Sequence, residues 1–344
     1  MERYRLGDEE KMKKWMSGIL AVMIVAILAG CSETEQSDSK EKELEEMSIM
    51  LDWYPNAVHS AIYVAEEKGF FEEQGLDVKI EMPADTNDPL KLAATGKVDL
   101  AISYQNQVIL SRAEGIPVVS VAAYVRHSLD SIMMKKEVGI ESPKDLEGKS
   151  VGYPSTVITE AVIQTMVEAD GGDFEKVTMT DVGWDLMPAI ATGNVDAIGG
   201  GYINHEYVLL NKEGYDMDLL KLSDYGVPDN YELVIVAGED TFNEKEESIK
   251  KFWQAIEQGH EFVKSNPEEG LQVLLANEND DSALDKEVET ESLEILLPLM
   301  EDAGVPFGYQ EEESWQEVAD WLYEMGVIET QVDPKDVVQN IVSK

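Results

Sequence analysis

Apolar and polar positions follow two repeating patterns along the chain, and their order predicts two halves with the same layout. Short apolar runs typical of strands occur in two pairs, at 48–53 and 77–82 and again at 150–153 and 176–182. Segments with helical spacing begin at Val58 and Thr156, after the first strand of each pair. Each half therefore reads as β-α-β-α-β, the unit from which parallel sheets are built.

A short internal repeat supports this division. Residues 94–99 (ATGKVD) and 191–196 (ATGNVD) are near copies, and each predicts a helix end, a C-terminal glycine and the opening of an apolar strand. The fold class is therefore α/β, with two lobes that face each other across a cleft. Ligands of such sheets lie beyond the carboxyl ends of the strands.

The remaining segments set the predicted domain boundaries. Apolar strands at 132–134 and 233–236 flank the second half and are predicted to be crossovers, and from Lys245 onward the pattern is almost entirely helical. We predict the N-terminal part of lobe one at 47–131, lobe two with its crossover strands at 132–236, and C-terminal helices that complete lobe one at 237–344.

The amino end has the pattern of a secretory signal. Lys11, Lys13 and Lys14 precede an uncharged apolar run at 15–29, which is shorter than the roughly 20 residues that span a bilayer. We predict a signal peptide at 1–30, with translation starting at Met1 or Met12. The following Cys31 is the only cysteine in the chain, so no internal disulfide can form.

Composition excludes one class of partner. Residues 31–46 are polar and rich in Ser, Glu and Lys, which predicts an unfolded tether. The chain carries 70 acidic and 27 basic residues, a net charge of −43, which is incompatible with binding nucleic acid. This acidity fits a salty or alkaline habitat, or simply a highly soluble surface.

The predicted strand ends supply candidate cleft residues at 53–56 and 103–105 in lobe one and at 153–156 and 200–206 in lobe two. These stretches are aromatic and rich in amides, which suits a small heterocycle. The candidates from these stretches are Trp53, Asn56, Tyr104, Gln105, Ser155, Thr156, Tyr202, Asn204 and Glu206. The hydroxyls of Ser155 and Thr156 either bind a polar ligand group or cap a helix.

Three sequence blocks resemble known proteins. Residues 28–31 (LAGC) resemble the bacterial lipobox, which implies lipid attachment at Cys31. Residues 51–56 (LDWYPN), with His59 and 68–71 (KGFF), resemble the opening of the periplasmic-binding domain shared with fungal thiamine-pyrimidine synthases. Residues 182–189 (VGWDLMPA) and 200–206 (GGYINHE) resemble bacterial carriers of formyl-aminopyrimidine. The last block departs from those carriers at Gly201 and Ile203, where we expect alanine and an aromatic residue.

The resemblance implies a periplasmic-binding-protein type II fold and a substrate-binding protein of an ABC importer. Such a protein would be a monomer, lipid-anchored to the outer face of the bacterial cell membrane, and would deliver an aminopyrimidine to a permease. The resemblance adds His59 and Trp184 to the candidate ligand contacts. A flat ring would stack on Trp53 or Tyr202 and donate its amine to Glu206, although the same carboxylate at a helix start is stabilised by the dipole alone.

Three alternatives stay open at this point. Riboflavin or a sulfonate are ligands of related carriers. An enzyme like the fungal synthases would need a pyridoxal cofactor and a cysteine-rich iron motif, and beyond His59 the chain has no counterpart of that machinery. A metal carrier would have to bring His59, His205 and Glu206 together. We predict no enzymatic activity, no cofactor and no metal, and a structural role for His205.

Overall fold

The computed structural model describes residues 44–85, 88–154, 157–278 and 283–344. The predicted signal peptide, Cys31 and residues 31–43 of the predicted tether lie outside the described residues, as do Ser155 and Thr156. Within the described ranges, no helix has the length and apolar character needed to cross a membrane. Leu44–Lys344 is a single unit.

The strands, in chain order, are β1 (Glu45–Met50), β2 (Leu76–Glu81), β3 (Leu100–Ser103), β4 (Val118–Val125), β5 (Asp130–Lys135), β6 (Ser150–Tyr153), β7 (Thr178–Asp181), β8 (Ala197–Tyr202), β9 (Met217–Lys221) and β10 (Leu233–Gly238). The helices are α1 (Ser60–Glu67), α2 (Phe70–Glu73), α3 (Asp88–Ala94), α4 (Gln105–Ala113), α5 (Val157–Ala169), α6 (Leu186–Thr192), α7 (Glu206–Lys212), α8 (Glu239–Ser265), α9 (Pro267–Ala276), α10 (Lys286–Leu296) and α11 (Glu312–Glu324).

The strands form two five-stranded sheets, one in each lobe. The first has the order β2-β1-β3-β10-β4 and the second β7-β6-β8-β5-β9. In each sheet the first three strands are parallel, whereas β10 and β5 run antiparallel to both of their neighbours. The predicted β-α-β-α-β halves and the α/β fold class are confirmed.

The internal repeat forms the same hydrogen-bonded corner in both lobes. Asp99 Oδ2 accepts from the backbone N–H of Ser48 at 2.9 Å and from its hydroxyl at 3.1 Å. Asp196 Oδ2 accepts from the same two groups of Ser150, both at 2.8 Å. Each aspartate opens its strand, so the corner joins the start of β3 to β1 and the start of β8 to β6.

Helices cover both faces of each sheet. One face of the first sheet packs on α1, α8, α9 and α10, and the other on α3, α4 and α11. The second sheet lies between α5 on one face and α6 and α7 on the other. The predicted C-terminal helices therefore do pack on lobe one, and α11 also reaches lobe two, where Trp321 Nε1 donates to Thr165 Oγ1 at 3.0 Å.

Two predicted boundaries were wrong. Lobe two ends before residue 236, because Leu233–Gly238 pairs with β3 and β4 of the first sheet. The chain crosses between the sheets at 126–129 and again at 222–232. The tether ends before residue 46, because Glu45 and Glu46 already pair with β2 and the Glu45 carboxylate accepts from Ser248 Oγ at 2.7 Å.

Candidate functional site

A cleft of about 1140 Å³, its open mouth included, lies between the lobes. The carboxyl ends of the parallel strands meet at its rim, which is where open α/β sheets place their ligands. Both lobes and Val318 and Trp321 of α11 contribute to its walls. The described lining residues include four carboxyl groups and two histidines but no lysine or arginine.

Trp53 forms one wall of the cleft and a contact between the lobes. It follows β1, because the strand ends at Met50 and leaves Trp53 in the loop. Its ring lies 3.9 Å, centroid to centroid, from that of Trp184 in lobe two, tilted by 39°. Trp184 is not part of the cleft lining. It instead covers Trp53, and so brings the lobes into contact.

The predicted residue His59 holds another cleft residue in place. The backbone N–H of Asn56 donates to His59 Nδ1 at 3.2 Å, so the other ring nitrogen, Nε2, carries the proton and donates to Asp52 Oδ1 at 3.0 Å. The hydroxyl of Tyr104 donates to Asp52 Oδ2 at 3.2 Å. The polar atoms of His59 are therefore occupied, and the carboxylate of Asp52 is oriented towards the cleft that it lines.

Asn56 also lines the cleft, but its amide group is used locally. Its Oδ1 accepts from the backbone N–H of Val58 at 3.0 Å, and its Nδ2 donates to the carbonyl of Tyr54 at 3.2 Å. It caps the 3₁₀ turn Ala57–His59. Asn56 therefore shapes the loop that carries Trp53.

Glu206 is a buried carboxylate on the lobe-two side of the cleft, only 6% exposed. Its Oε2 accepts from the backbone N–H of Tyr202 at 2.9 Å, and its Oε1 lies 3.1 Å from His205 Nδ1. Burial acts to raise the pKa of Glu206, but the charge and hydrogen bond of His205 outweigh it and hold the pKa below its usual value. Glu206 is therefore ionised at neutral pH.

His205 lies between two carboxylates. Its Nε2 is 3.3 Å from Glu289 Oε1 of α10, on the opposite side of the ring from Glu206. Burial acts to lower the pKa of His205, but Glu206 and Glu289 together raise it to about 10. The imidazole is protonated at neutral pH, consistent with the predicted structural role.

Two further acids face the cleft near the crossovers. Glu232 Oε2 accepts from the backbone N–H groups of Leu129 and Asp130 at 2.7 and 3.1 Å, and Asp130 Oδ1 accepts from that of Gly200 at 2.9 Å. Burial and the charge of Glu232 raise the pKa of Asp130 well above its usual value, and burial raises that of Glu232. These acids share a poorly solvated region where two negative charges are unfavourable.

Tyr202 lies beside this pair and lines the cleft. Burial and the neighbouring Glu232 raise the pKa of its hydroxyl well above the usual value. Tyr202 Oη and Trp53 Nε1 are both buried. The Tyr202 hydroxyl interacts with Glu232 and Tyr104, and the Trp53 indole N–H interacts with the hydroxyl of Tyr54.

Two of the predicted amide contacts are not in the cleft lining. Gln105 is fully buried, and its Oε1 accepts from the backbone N–H of Tyr231 at 2.7 Å. Asn106 and Gln107 line the cleft in its place. Asn204 is also fully buried and donates through Nδ2 to Ser292 Oγ of α10 at 3.0 Å. Each of these two side chains turns towards the protein interior.

Sequence reasoning missed the acids Asp52, Asp130, Glu232 and Glu289. Asp130 and Glu232 stand at the starts of β5 and β10, and an antiparallel strand begins at the edge where its parallel neighbours end. An acid before each apolar crossover strand was the available signal. Among the described residues, no three His, Cys, Asp or Glu side chains form a group that could hold a metal ion.

Comparison with known proteins identifies the family of this chain. Residues 56–270 match the family model described as NMT1/THI5 like. The chain belongs to the NMT1/THI5-like family. The formylaminopyrimidine-binding protein of Halalkalibacterium halodurans is 45% identical over 96% of this chain and 99% of its own length. A 4-amino-5-hydroxymethyl-2-methylpyrimidine phosphate synthase of Saccharomyces cerevisiae is 28% identical over 65% of this chain and 68% of its own.

Solved structures in the same fold extend beyond this family. The alkanesulfonate-binding protein SsuA from Xanthomonas axonopodis pv. citri superposes with a TM-score of 0.67 over 87% of this chain and 99% of its own, at 14% identity. That similarity shows the fold and confirms the predicted type II periplasmic-binding-protein architecture.

Proposed function

We propose that this NMT1/THI5-like chain is an extracytoplasmic substrate-binding protein of an ABC importer that captures a thiamine-derived aminopyrimidine of the formyl-aminomethyl-methylpyrimidine type. The observation that carries the proposal is the ionised, buried carboxylate of Glu206 in an aromatic cleft. An exocyclic amine donates to such a carboxylate. The pyrimidine ring offers flat faces to Trp53 and Tyr202.

The relatives support binding over catalysis. The relative named for formylaminopyrimidine binding matches at 45% identity along nearly its whole length. The synthase matches at 28% over about two thirds of each chain. We therefore assign no enzymatic activity to this chain.

The charge of the cleft disfavours a sulfonate. The lining carboxyl groups are those of Asp52, Asp130, Glu206 and Glu232, and the described lining has no lysine or arginine to pair with an anion. A sulfonate would be repelled there. Riboflavin has a flat ring with one N–H donor, so it stays the alternative that binding experiments must test.

The mechanism that we propose is hinge closure. The crossovers at 126–129 and 222–232 are the only covalent links between the two sheets in the described chain, which makes them the hinge. Ligand docks on one lobe, and the second lobe closes over it, bringing Trp184 against Trp53. A membrane permease then recognises the closed form, and its ATPase supplies the energy.

The anchoring proposal rests on the sequence alone. After removal of the signal peptide, Cys31 would carry the lipid that holds the protein on the outer face of the cell membrane. The mass of the N-terminal peptide of protein extracted from membranes tests this proposal. An unmodified Cys31 would refute it.

Calorimetry tests the ligand. Because Leu44–Lys344 is one unit, a soluble form that begins after Cys31 keeps the whole fold. We expect it to bind a 4-amino-2-methylpyrimidine with micromolar or tighter affinity, about −8 kcal/mol or better. Riboflavin and an alkanesulfonate serve as competitors, and binding of either one without the pyrimidine would refute the proposed ligand.

A further inference from the structure

Glu289 connects the two lobes at a buried position. It lies on α10, whose Leu293 and Leu296 pack in the core of lobe one, and it is 1% exposed. Its Oε2 accepts from the backbone N–H of Ala57 in lobe one at 2.7 Å. Its Oε1 lies 3.3 Å from Nε2 of His205 in lobe two.

The contact continues through His205 to the carboxylate in the cleft. Nδ1 of the same ring lies 3.1 Å from Glu206 Oε1. An ionised carboxylate only accepts hydrogen bonds, so a ring with a carboxylate on each nitrogen donates from both and carries a positive charge. One imidazolium therefore sits between two buried carboxylates that belong to different lobes.

A second buried contact joins the same two elements. Ser292 lies one helical turn after Glu289 on α10, and its hydroxyl accepts from Asn204 Nδ2 at 3.0 Å. Asn204 and Ser292 are both fully buried. Separation of the lobes would break this bond and the His205–Glu289 pair, while the His205–Glu206 pair would stay intact within lobe two.

We propose that Glu289 is a positioning residue, which through His205 helps to hold Glu206 ionised and correctly placed for the ligand when the lobes are closed. This inference rests on the proposed function, since it takes Glu206 as the acceptor of the ligand's amine. A buried charge that loses its partner is strongly unfavourable. Ligand binding at Glu206 and closure onto Glu289 therefore favour each other.

The same helix offers a matched control. Glu287 pairs with Lys212 of α7 at 2.8 Å, so it also joins α10 to lobe two, but its side chain is 85% exposed. An exposed ion pair of this kind contributes little. Glu287→Gln therefore removes a carboxylate from the same helix and an ion pair to lobe two. It leaves the buried triad of Glu206, His205 and Glu289 unchanged.

The first measurement does not depend on the ligand. The chain has four histidines, so the ring nitrogens of His205 can be assigned by NMR with a His205→Gln reference. The titratable groups that face His205 are Glu206, Glu289 and Tyr54, whose ring lies edge-on at 5.9 Å. We expect both ring nitrogens to be protonated at about pH 8 in the parent and in Glu287→Gln, and one to be deprotonated in Glu289→Gln.

The second measurement is calorimetry between about pH 7 and 9. Glu289→Gln should weaken aminopyrimidine binding about tenfold to a hundredfold, the loss of one charge-assisted hydrogen bond. The loss should grow with pH, as His205 gives up its proton earlier. A 2-methylpyrimidine without the amine should be unaffected, and Glu289→Asp, which keeps the charge, should restore part of the affinity.

Each outcome decides the proposal. A neutral His205 in the parent at about pH 8 would overturn it, and so would a Glu289→Gln variant that matches Glu287→Gln in both measurements. If Glu289→Gln does not fold, the protonation state of His205 in the parent and the aminopyrimidine affinity of Glu289→Asp still test the proposal. A parent that binds no pyrimidine, but whose His205 is charged and depends on Glu289, would refute the proposed ligand and leave the buried triad supported.

Discussion

Replacement of Glu206 by glutamine is the most direct test of how the cleft recognises its ligand. In the parent, the carboxylate accepts from the backbone N–H of Tyr202 and from His205. Glutamine keeps the size but has one acceptor oxygen and one amide nitrogen. If the glutamine oxygen keeps the bond from the Tyr202 N–H, its amide nitrogen faces His205 Nδ1. Two hydrogen-bond donors would then meet, so the imidazole of His205 must lose its Nδ1 proton.

The magnitude follows from the hydrogen bond that the ligand would lose. A hydrogen bond to a charged group is worth about 1.5–3 kcal/mol, which corresponds to a roughly tenfold to hundredfold weaker Kd for an aminopyrimidine. A ligand of the same shape without the amine does not use this bond and should keep its affinity. The variant should also lose stability, because Glu206 is 6% exposed and its partners are left poorly matched.

Calorimetry with the two ligands measures this difference, and thermal unfolding checks the fold. Glu213→Gln, at the exposed end of the same helix, is the matched control and should behave as the parent does. Equal weakening of both ligands, or no weakening of the aminopyrimidine, would refute Glu206 as the amine acceptor.

Two other substitutions test stacking on Trp53 and the buried charge of Asp130. Trp53→Ala removes a stacking surface worth about 0.5–1.5 kcal/mol beyond its burial, so calorimetry should show both ligands weakened together; a loss limited to the amine-bearing ligand would contradict stacking. Asp130→Asn should raise the melting temperature at neutral pH but not in acid. Burial and Glu232 raise the folded-state pKa of Asp130, so its ionisation destabilises the fold as pH rises, and an effect independent of pH would contradict this account.

The overall architecture was predictable because its signals are local. The repeat at 94–99 and 191–196 revealed both halves, and the structure gives the reason: Asp99 and Asp196 each close the same corner with a serine of the neighbouring parallel strand, Ser48 in β1 and Ser150 in β6. A motif with that role needs only a strand, a turn and a second strand. The local sequence pattern was therefore enough to predict the topology of each lobe.

The side chains in the cleft were less predictable because they depend on helix rotation and on distant contacts. Gln105 and Gln107 are both in the first turn of α4, and only the packing of that helix turns Gln105 inward and leaves Gln107 in the cleft. Glu289 meets His205 only because α10 returns across the lobes. Neither contact leaves a periodic or local signal in the sequence.

The antiparallel direction of β5 and β10 explains why Asp130 and Glu232 lie in the cleft, and their position there affects both stability and ligand choice. β5 and β10 enter their sheets antiparallel, so their first residues reach the edge where the parallel strands end, and Asp130 and Glu232 arrive at the cleft from the two crossovers. Their raised pKa values mean that the empty cleft is destabilised by its own negative charge. A ligand with N–H donors relieves this repulsion, and an anion increases it. The same pair thus makes the empty cleft less stable and the choice of ligand more specific.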